Sequence, residues 1–176
     1  MNANFISTLR SYLDDFEIRP ITRGTCYRVM PVFDSNNEFF MLTEGKPITL
    51  RSCQANIEAI PPGFDINNKL YLGFWHNKMC AAVLDLLIGY PKPDCLYIGL
   101  LLVHGELQGT GVGRKIVEAL AAAWKGTGIK AANLAVVEDN KKAIAFWKKH
   151  GFKRTGTSTA IVGDTCVNVV TMVRNL

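Results

Sequence analysis

Apolar positions along the chain change their period several times, and each change marks a predicted element. Over residues 5–17 they recur every three to four positions, which predicts an amphipathic N-terminal helix. Residues 26–33 are predicted to form a strand. Short helices are predicted after a cap at Asp34 or Ser35 and again over residues 49–60, before a proline-glycine break.

The middle of the chain carries longer apolar runs that are typical of strands. Residues 70–75 and 79–90 flank a polar turn at residues 76–78, which predicts a hairpin. A third run, residues 95–103, follows a proline-rich turn. These three runs predict the antiparallel centre of one sheet.

Toward the C-terminus, strands alternate with helices. The predicted elements are, in order, a helix over 111–125, a strand over 131–137, a helix over 140–150, and two strands over 152–161 and 165–174 around a turn at Gly163-Asp164. On the first of these helices, Val112, Ile116, Leu120 and Trp124 fall on one face at four-residue spacing. The whole order predicts one α/β domain with a mixed sheet.

Length and charge exclude some classes of protein. At 176 residues the chain has the length of a single domain with a real core. The net charge is +5, but the basic residues are scattered and no nucleic-acid reader motif is present, so no nucleic-acid partner is predicted. The longest apolar run, residues 79–90, is too short to span a membrane, so no membrane partner is predicted.

Cysteine usage indicates the compartment. The chain has five cysteines, an odd number, and they lie far apart in the sequence. This spacing argues against both a disulfide framework and a zinc site. It predicts reduced thiols in a cytoplasmic protein with no bound metal.

The candidate chemistry lies where the third apolar run meets the following helix. The segment is Gln108-Gly109-Thr110-Gly111-Val112-Gly113-Arg114. The first amides of a helix have no internal acceptor, and the helix dipole places partial positive charge there. Glycines let the backbone approach a ligand closely, and Arg114 adds a cation. The segment therefore predicts a cradle for a diphosphate.

Two common glycine-rich phosphate motifs do not fit this segment. A dinucleotide fingerprint, G-x-G-x-x-G, needs a third glycine, but Arg114 occupies that position when counted from Gly109. A nucleoside-triphosphate loop needs lysine and then serine or threonine after its last glycine. Gly113 is followed by Arg114 and Lys115.

The segment resembles that of the GNAT superfamily of N-acetyltransferases. Gln108-x-x-Gly111-x-Gly113 matches the superfamily's Q/R-x-x-G-x-G/A element, and residues 140–152 resemble its N-x-x-A-x-x-[F/L]-Y-x-x-x-G-F element. The resemblance implies a mixed sheet of about seven strands flanked by helices, with acetyl-CoA as cosubstrate and no metal. It places an N-terminal helical extension at residues 1–22 and the acetyltransferase domain at residues 23–176.

The resemblance also implies roles for individual residues. The cofactor-binding set would be Leu101, Leu102, Val103, Gln108, Gly109, Thr110, Gly111, Val112, Gly113, Arg114, Asn140 and Trp147. Backbone groups of Leu101 and Val103 would pair with the pantetheine arm. A backbone N–H near Leu101 or Leu102 would act as the oxyanion donor, and Leu102 is taken as the catalytic one. A neutral amine would attack the thioester directly.

Three positions depart from the superfamily pattern. The usual tyrosine acid is replaced by Trp147, and the usual glutamate positions hold Tyr97 and Ala135. The candidates for proton removal are Tyr97, His104, Asp85, a water chain or bulk solvent. Of these, Tyr97 and Asp85 are taken as catalytic residues, and Trp147 as a wall of the cofactor channel.

Two functions follow from these expectations. The first is an enzyme that acetylates a primary amine, either a small molecule or a peptide, with homodimerisation possible. The second is a non-catalytic acyl-CoA-binding or sensing module, which the missing tyrosine and glutamates keep open. Thiol release in the presence of amines separates the two.

Overall fold

Six helices and seven strands make up the protein, as described by a computed structural model over residues 2–162 and 165–176. The helices are α1 (Asn2–Tyr12), α2 (Met30–Asp34), α3 (Asn37–Glu44), α4 (Leu50–Glu58), α5 (Val112–Ala123) and α6 (Lys141–Lys149). The strands are β1 (Glu17–Pro20), β2 (Lys69–His76), β3 (Met79–Ile88), β4 (Cys95–Val103), β5 (Ala131–Val137), β6 (Lys153–Val162) and β7 (Thr165–Asn175). The predicted turn at Gly163-Asp164 lies outside the described residues.

All seven strands form one sheet in the order β1-β2-β3-β4-β5-β7-β6. Only β4 and β5 are parallel, and every other neighbouring pair is antiparallel. The connection between these two parallel strands is made by α5, as a parallel pair requires. The mixed α/β sheet with an added N-terminal helix is therefore confirmed.

Each face of the sheet carries its own hydrophobic core. Helices α1, α5 and α6 cover one face, where Leu84, Leu96 and Ile116 are fully buried. Helices α2 to α4 cover the other face, where Phe33 and Val83 are fully buried. This second face is called the α2–α4 face below.

The strand predicted at residues 26–33 was wrong. Residues Cys26–Val29 form a 3₁₀ turn, and Met30–Asp34 form α2 with Pro31 in its first turn. The buried positions Cys26, Val29 and Val32 recur every three residues, which is a helical period. Proline in the first helical turn is also favourable, because its missing N–H has no acceptor there in any case.

Strand β1 was not predicted. It has four residues, of which Ile18 alone is buried, and it pairs with β2 at the sheet edge. One apolar side chain in four residues gives no detectable alternation.

Helix α1 packs against α5 on the same face of the sheet. Phe5 stacks on Trp124 with ring centroids 5.6 Å apart, and Leu9 and Leu13 are buried beneath the helix. Helix α1 therefore shares the core on this face of the sheet with α5.

Truncating Leu9 should destabilise the protein because Leu9 has no solvent exposure. Leu9→Ala is expected to lower the free energy of unfolding by about 2–5 kcal/mol, the usual range for a buried leucine. The measurement is chemical denaturation. Tyr12→Ala, on the same helix but 55% exposed, is the matched control and should cost far less.

Candidate active site

The sheet opens between β4 and β5. The two strands pair over four residue pairs, from Cys95–Ala131 to Ile98–Leu134, and no further pairing follows between these two described strands. Beyond Ile98, β4 continues beside β3 while β5 continues beside β7. Gly99 is consequently exposed although β4 is the central strand. The gap between residues 99–103 of β4 and 135–137 of β5 is called the slot.

Backbone groups of alternate residues face the slot. His104 donates its N–H to the carbonyl of Ala81 on β3. Since peptide groups alternate in direction along a strand, Leu102 also bonds β3, while Leu101 and Val103 face the slot. The register therefore favours Leu101 over Leu102 as an amide donor within the slot.

The same rule applies to β5. Glu138 donates its N–H to the carbonyl of Asn168 on β7, so the peptide groups of Ala135 and Val137 point away from β7, toward the slot. The slot is lined by backbone donors and acceptors on both sides, as an unpaired pair of strand edges must be.

A cluster of free amides lies at the end of the slot. Five backbone N–H groups there have no acceptor among the described residues, namely those of Gly109, Gly111, Val112, Gly113 and Arg114. The N-cap of α5 is Gly111, which has no side chain to satisfy them. A helix N-terminus with free amides binds anions, and this cluster fits a diphosphate.

Thr110 has a different position from its neighbours. Its N–H and its hydroxyl both contact the carbonyl of Leu107, at 3.3 and 2.7 Å. Both hydrogen-bond donors of Thr110 are therefore used within the loop itself. The Arg114 side chain is exposed and bonds Glu118 one helical turn along at 2.9 Å.

The three glycines of the segment have two different roles. Gly109 and Gly111 have φ of 78° and 99°, and a Cβ atom on either would meet nothing within 4 Å. They permit the left-handed turn and leave the amides open. Gly113 instead allows packing, because a Cβ there would lie 3.3 Å from the Phe146 ring and 3.4 Å from Val103. Gly113 therefore has a packing role in addition to its free amide.

Trp147 lies on α6, the helix that follows β5, and Asn140 directly precedes the first residue of that helix. Asn140 caps α6, because its Oδ1 accepts from the N–H of Ala143 at 3.0 Å. Its side-chain amide nitrogen has no acceptor among the described residues. Trp147 is 7% exposed and packs edge-on against Phe146 and Phe152 in the core.

Asp85 lies on β3 beside the slot, on the α2–α4 face. Its Oδ2 pairs with Nζ of Lys69 at 3.0 Å, and the two side chains are 14% and 4% exposed. Asp85 pairs with Leu100 of β4, and at the preceding slot residue, Gly99, a Cβ would lie 2.8 Å from Asp85 Oδ2. Asp85 therefore occupies the space that a side chain at residue 99 would take.

Lys69 was not predicted from the sequence, and its position explains how a charge is tolerated here. Its ammonium also donates to the carbonyls of Asn56 and Ala59, at 2.9 and 2.7 Å. All three of its protons are used, two of them at the C-terminal end of α4. Lys69 therefore holds Asp85 and is not itself available to a ligand.

One oxygen of Asp85 remains unused. Asp85 Oδ1 and the hydroxyl of Tyr71, its cross-strand neighbour, are buried and have no hydrogen-bond partner among the described residues. Burial raises the pKa of Asp85 to about 6, and the charge of Lys69 opposes this rise. A carboxyl group with that pKa can accept a proton near neutral pH.

Tyr97 lies on the same face, one position before the slot opens. Burial and then the neighbouring Tyr90 raise the pKa of Tyr97, while the backbone amide of Ala135 acts in the opposite direction. Its ring packs edge-on against Tyr90, with centroids 5.6 Å apart. The structure thus brings Tyr97 to the slot strand β5 through Ala135, as a neutral phenol.

A surface groove of about 590 Å³ opens beside Trp75 and Arg28, but none of the predicted site residues lines it. Within the described ranges, no group of three or more His, Cys, Asp or Glu is placed to hold a metal. Across the same part of the chain, no helix has both the length and the apolarity needed to cross a membrane.

Comparison with known proteins agrees with this geometry. The profile described as the acetyltransferase (GNAT) family matches residues 33–152. Among curated proteins, no relative matches the chain.

Solved structures share the fold at low sequence identity. An acetyltransferase from Thermus thermophilus superposes with a TM-score of 0.72 at 24% identity, covering 92% of this chain and 97% of that one. The ribosomal-protein-S18-alanine N-acetyltransferase from Escherichia coli gives 0.65 at 16% identity, covering 91% and 93%. PaiA N-acetyltransferase from Thermoplasma acidophilum, solved in complex with coenzyme A, gives 0.60 at 15%, covering 92% and 99%.

A slot between parallel strands that ends in an anion cradle has the form expected of an acyl-carrier-dependent transferase site. The profile match over more than half of the chain then shows that the protein belongs to the acetyltransferase (GNAT) family. The protein is therefore an acyltransferase of a family that uses acetyl-CoA and amine acceptors.

Proposed function

We propose that the protein transfers an acetyl group from acetyl-CoA to a primary amine by direct attack. The observation that carries the proposal is the slot itself, whose backbone groups lead to five free amides at the start of α5. A thioester carrier has an amide-rich arm that can pair with a strand edge and a diphosphate that fits the cradle. Family membership favours this enzyme over a non-catalytic acyl-CoA sensor.

The chemistry is a single acyl transfer. The bound thioester supplies an activated carbonyl carbon; a C–N bond forms there, the C–S bond breaks, and the thiolate leaves. The amides of the cradle, together with the N–H groups of Leu101 and Val103, hold the donor. The Leu101 N–H is the better candidate for the developing oxyanion, because the Leu102 N–H faces β3.

Asp85 is proposed as the group that accepts the proton of the attacking amine. Its Oδ1 has no hydrogen-bond partner among the described residues, and the carboxyl group lies against Gly99, a slot residue that has no side chain. We propose that an amine in the slot reaches the carboxyl group at this point. An ammonium or amine donor there would also satisfy a buried acceptor that otherwise costs stability. Lys69 keeps the other oxygen in place.

Tyr97 is proposed as the donor of a proton to the leaving thiolate. Its raised pKa keeps the hydroxyl protonated, and the backbone amide of Ala135, a slot residue, interacts with it. Trp147, which takes the place of the superfamily's tyrosine, cannot transfer its indole proton to a thiolate at neutral pH.

Removing the Tyr97 hydroxyl should slow turnover moderately. Tyr97→Phe is expected to lower kcat about tenfold, below the usual range for acid catalysis because a thiolate leaves readily. Tyr90→Phe, the aromatic neighbour, is the matched control and should keep kcat. Equal kcat values for Tyr97→Phe and the wild type would remove Tyr97 from the mechanism.

The function as a whole is tested by turnover of acetyl-CoA against a panel of amines. The panel covers polyamines, free amino acids, aromatic amines, peptide N-termini and peptide lysines, and free thiol is the readout. At least one class should release thiol faster than the amine-free reaction, with the acetylated amine found by mass spectrometry. Coenzyme A binding without thiol release for any class would support the sensing module instead.

A cytoplasmic location and a homodimer stay predictions. Sedimentation at micromolar concentration tests the second of them.

A further inference from the structure

A buried asparagine joins the corner between helices α2 and α3 to the end of β4. Asn36 lies in the corner between α2 and α3 and is 8% exposed. Its side-chain nitrogen donates to the carbonyls of Val32 at 2.7 Å and Val103 at 2.9 Å. Its side-chain oxygen accepts from Nε2 of Gln108 at 2.6 Å.

The orientation of this amide is determined by its partners. The nitrogen has three neighbours, namely the carbonyls of Val32 and Val103 and, at 3.2 Å, the Oγ of Ser35. Backbone carbonyls can only accept, so the NH₂ group must face them. The oxygen therefore faces Gln108, whose Nε2 also lies 3.3 Å from the Val103 carbonyl. Asn36, Gln108 and the Val103 carbonyl form a closed triangle of hydrogen bonds.

The adjacent residue makes a second connection to the same loop. Ser35 Oγ accepts the N–H of Gly105 at 2.9 Å. A Cβ on Gly105 would lie 2.7 Å from the Ser35 carbonyl oxygen, so only glycine lets the loop approach this closely. The segment between β4 and α5 is therefore held against the α2–α3 corner at two points.

The triangle also determines what Val103 can offer to a ligand. Its carbonyl faces the slot but already accepts from Asn36 and Gln108. The free group of Val103 in the slot is therefore its N–H. The next residues after Gln108 are those whose amides form the cradle, so the triangle lies at its base.

We propose that Asn36 is a positioning residue for the acyl donor, acting through Gln108 and Val103. It sets where the cradle amides and the Val103 N–H stand relative to each other, and it does not itself contact the donor. The inference rests on the proposed function of the slot and cradle. It assigns a role to the glutamine side chain that differs from ligand binding.

A double-mutant cycle tests this inference with coenzyme A as the probe. Asn36→Ala and Gln108→Ala are each expected to raise the Kd of coenzyme A about tenfold, by the loss of roughly one to two hydrogen bonds. The double variant should raise it no further, because each single change already opens the triangle. Asn37→Ala, an exposed asparagine one residue along, is the matched control and should keep the wild-type Kd.

Kinetics distinguish positioning from a general loss of structure. Both single variants should raise KM for acetyl-CoA while kcat and KM for the amine stay near wild-type values. A folded Asn36→Ala variant with unchanged Kd, or a double variant with additive losses, would overturn the proposal. If Asn36→Ala does not fold, the Gln108→Ala variant tests the proposal instead, because the Gln108 side chain is exposed and its loss should leave the fold intact. An unchanged Kd of coenzyme A in Gln108→Ala would also overturn the proposal.

Failure of the proposed function has a different outcome. If the wild-type protein does not bind coenzyme A, the cradle assignment itself is wrong. If the wild type binds and the variants bind equally well, only the role of Asn36 is wrong.

Discussion

Gly111→Glu is expected to lower acetyl-CoA affinity by at least about a hundredfold. The new carboxylate would stand among five free amides and compete with the diphosphate for them, and like charges at a binding site cost several kcal/mol. The φ of 99° at Gly111 adds strain for any residue with a Cβ. Isothermal calorimetry with coenzyme A is the direct measurement.

The control for this change lies at the other end of the same helix. Gly126 follows α5, has φ of 78°, and a Cβ there would also meet nothing within 4 Å. Gly126→Glu introduces the same charge and a similar backbone strain without approaching the cradle. It should keep wild-type affinity, and equal affinity losses in the two variants would mean that strain and not anion competition is responsible.

Asp85→Asn is expected to lower kcat about a hundredfold, the lower end of the range for a lost general base. In the wild type, burial raises the pKa of Asp85 to about 6, with Lys69 opposing, so the carboxylate is present only above that pH. We therefore expect kcat/KM to rise as the pH passes through about 6. That limb should be absent in Asp85→Asn, and its persistence would show that another group titrates.

Two further variants separate the loss of a base from a loss of structure. Asp85→Asn leaves Lys69 buried without its partner, which is destabilising by about 3–5 kcal/mol. The double variant Asp85→Asn with Lys69→Met removes the charge pair together and should recover much of that stability but no activity. Asp94→Asn, which breaks an exposed ion pair with Lys130, is the surface control and should keep wild-type turnover.

The same pKa has a consequence for stability with a definite sign. The folded-state pKa of about 6 lies above the ordinary value of 3.8, so the folded protein holds this proton more tightly than the unfolded chain. The favourable contribution of Asp85 to the free energy of unfolding is complete below about pH 4 and is lost as the pH rises through about 6. Asp85→Asn should therefore flatten the stability profile between these limits.

Local patterns in the sequence predicted most of the fold. Apolar periodicity and nearby turn residues predicted the β2–β3 hairpin, strands β4 and β5, and helices α4 to α6. The prediction for residues 26–33 was wrong because, over so short a span, their apolar positions fit the period of a strand as well as that of a helix. Three-residue spacing of buried side chains there became evident only with the packing against β3.

The cradle could be predicted, but the residues that support it could not. Free amides at a glycine-rich helix start are a property of the local sequence. The contacts of Asn36 with Val103 and Gln108 join residues 67 and 72 positions apart, and Lys69 reaches Asp85 across 16. No periodicity reports such pairs, because each depends on how the sheet and helices pack.

The short joint between β4 and β5 has a consequence for turnover. Four residue pairs connect two antiparallel subsheets, and beyond them the contact of Gly113 with Phe146 and Val103 braces the gap from one side. On the proposed function, the donor supplies a temporary eighth strand, so the empty and loaded enzymes differ by a segment of backbone pairing. Each catalytic cycle then includes the formation and the loss of these backbone hydrogen bonds. Protection of the amides of residues 99–103 from hydrogen exchange therefore reports the fraction of enzyme that holds the donor.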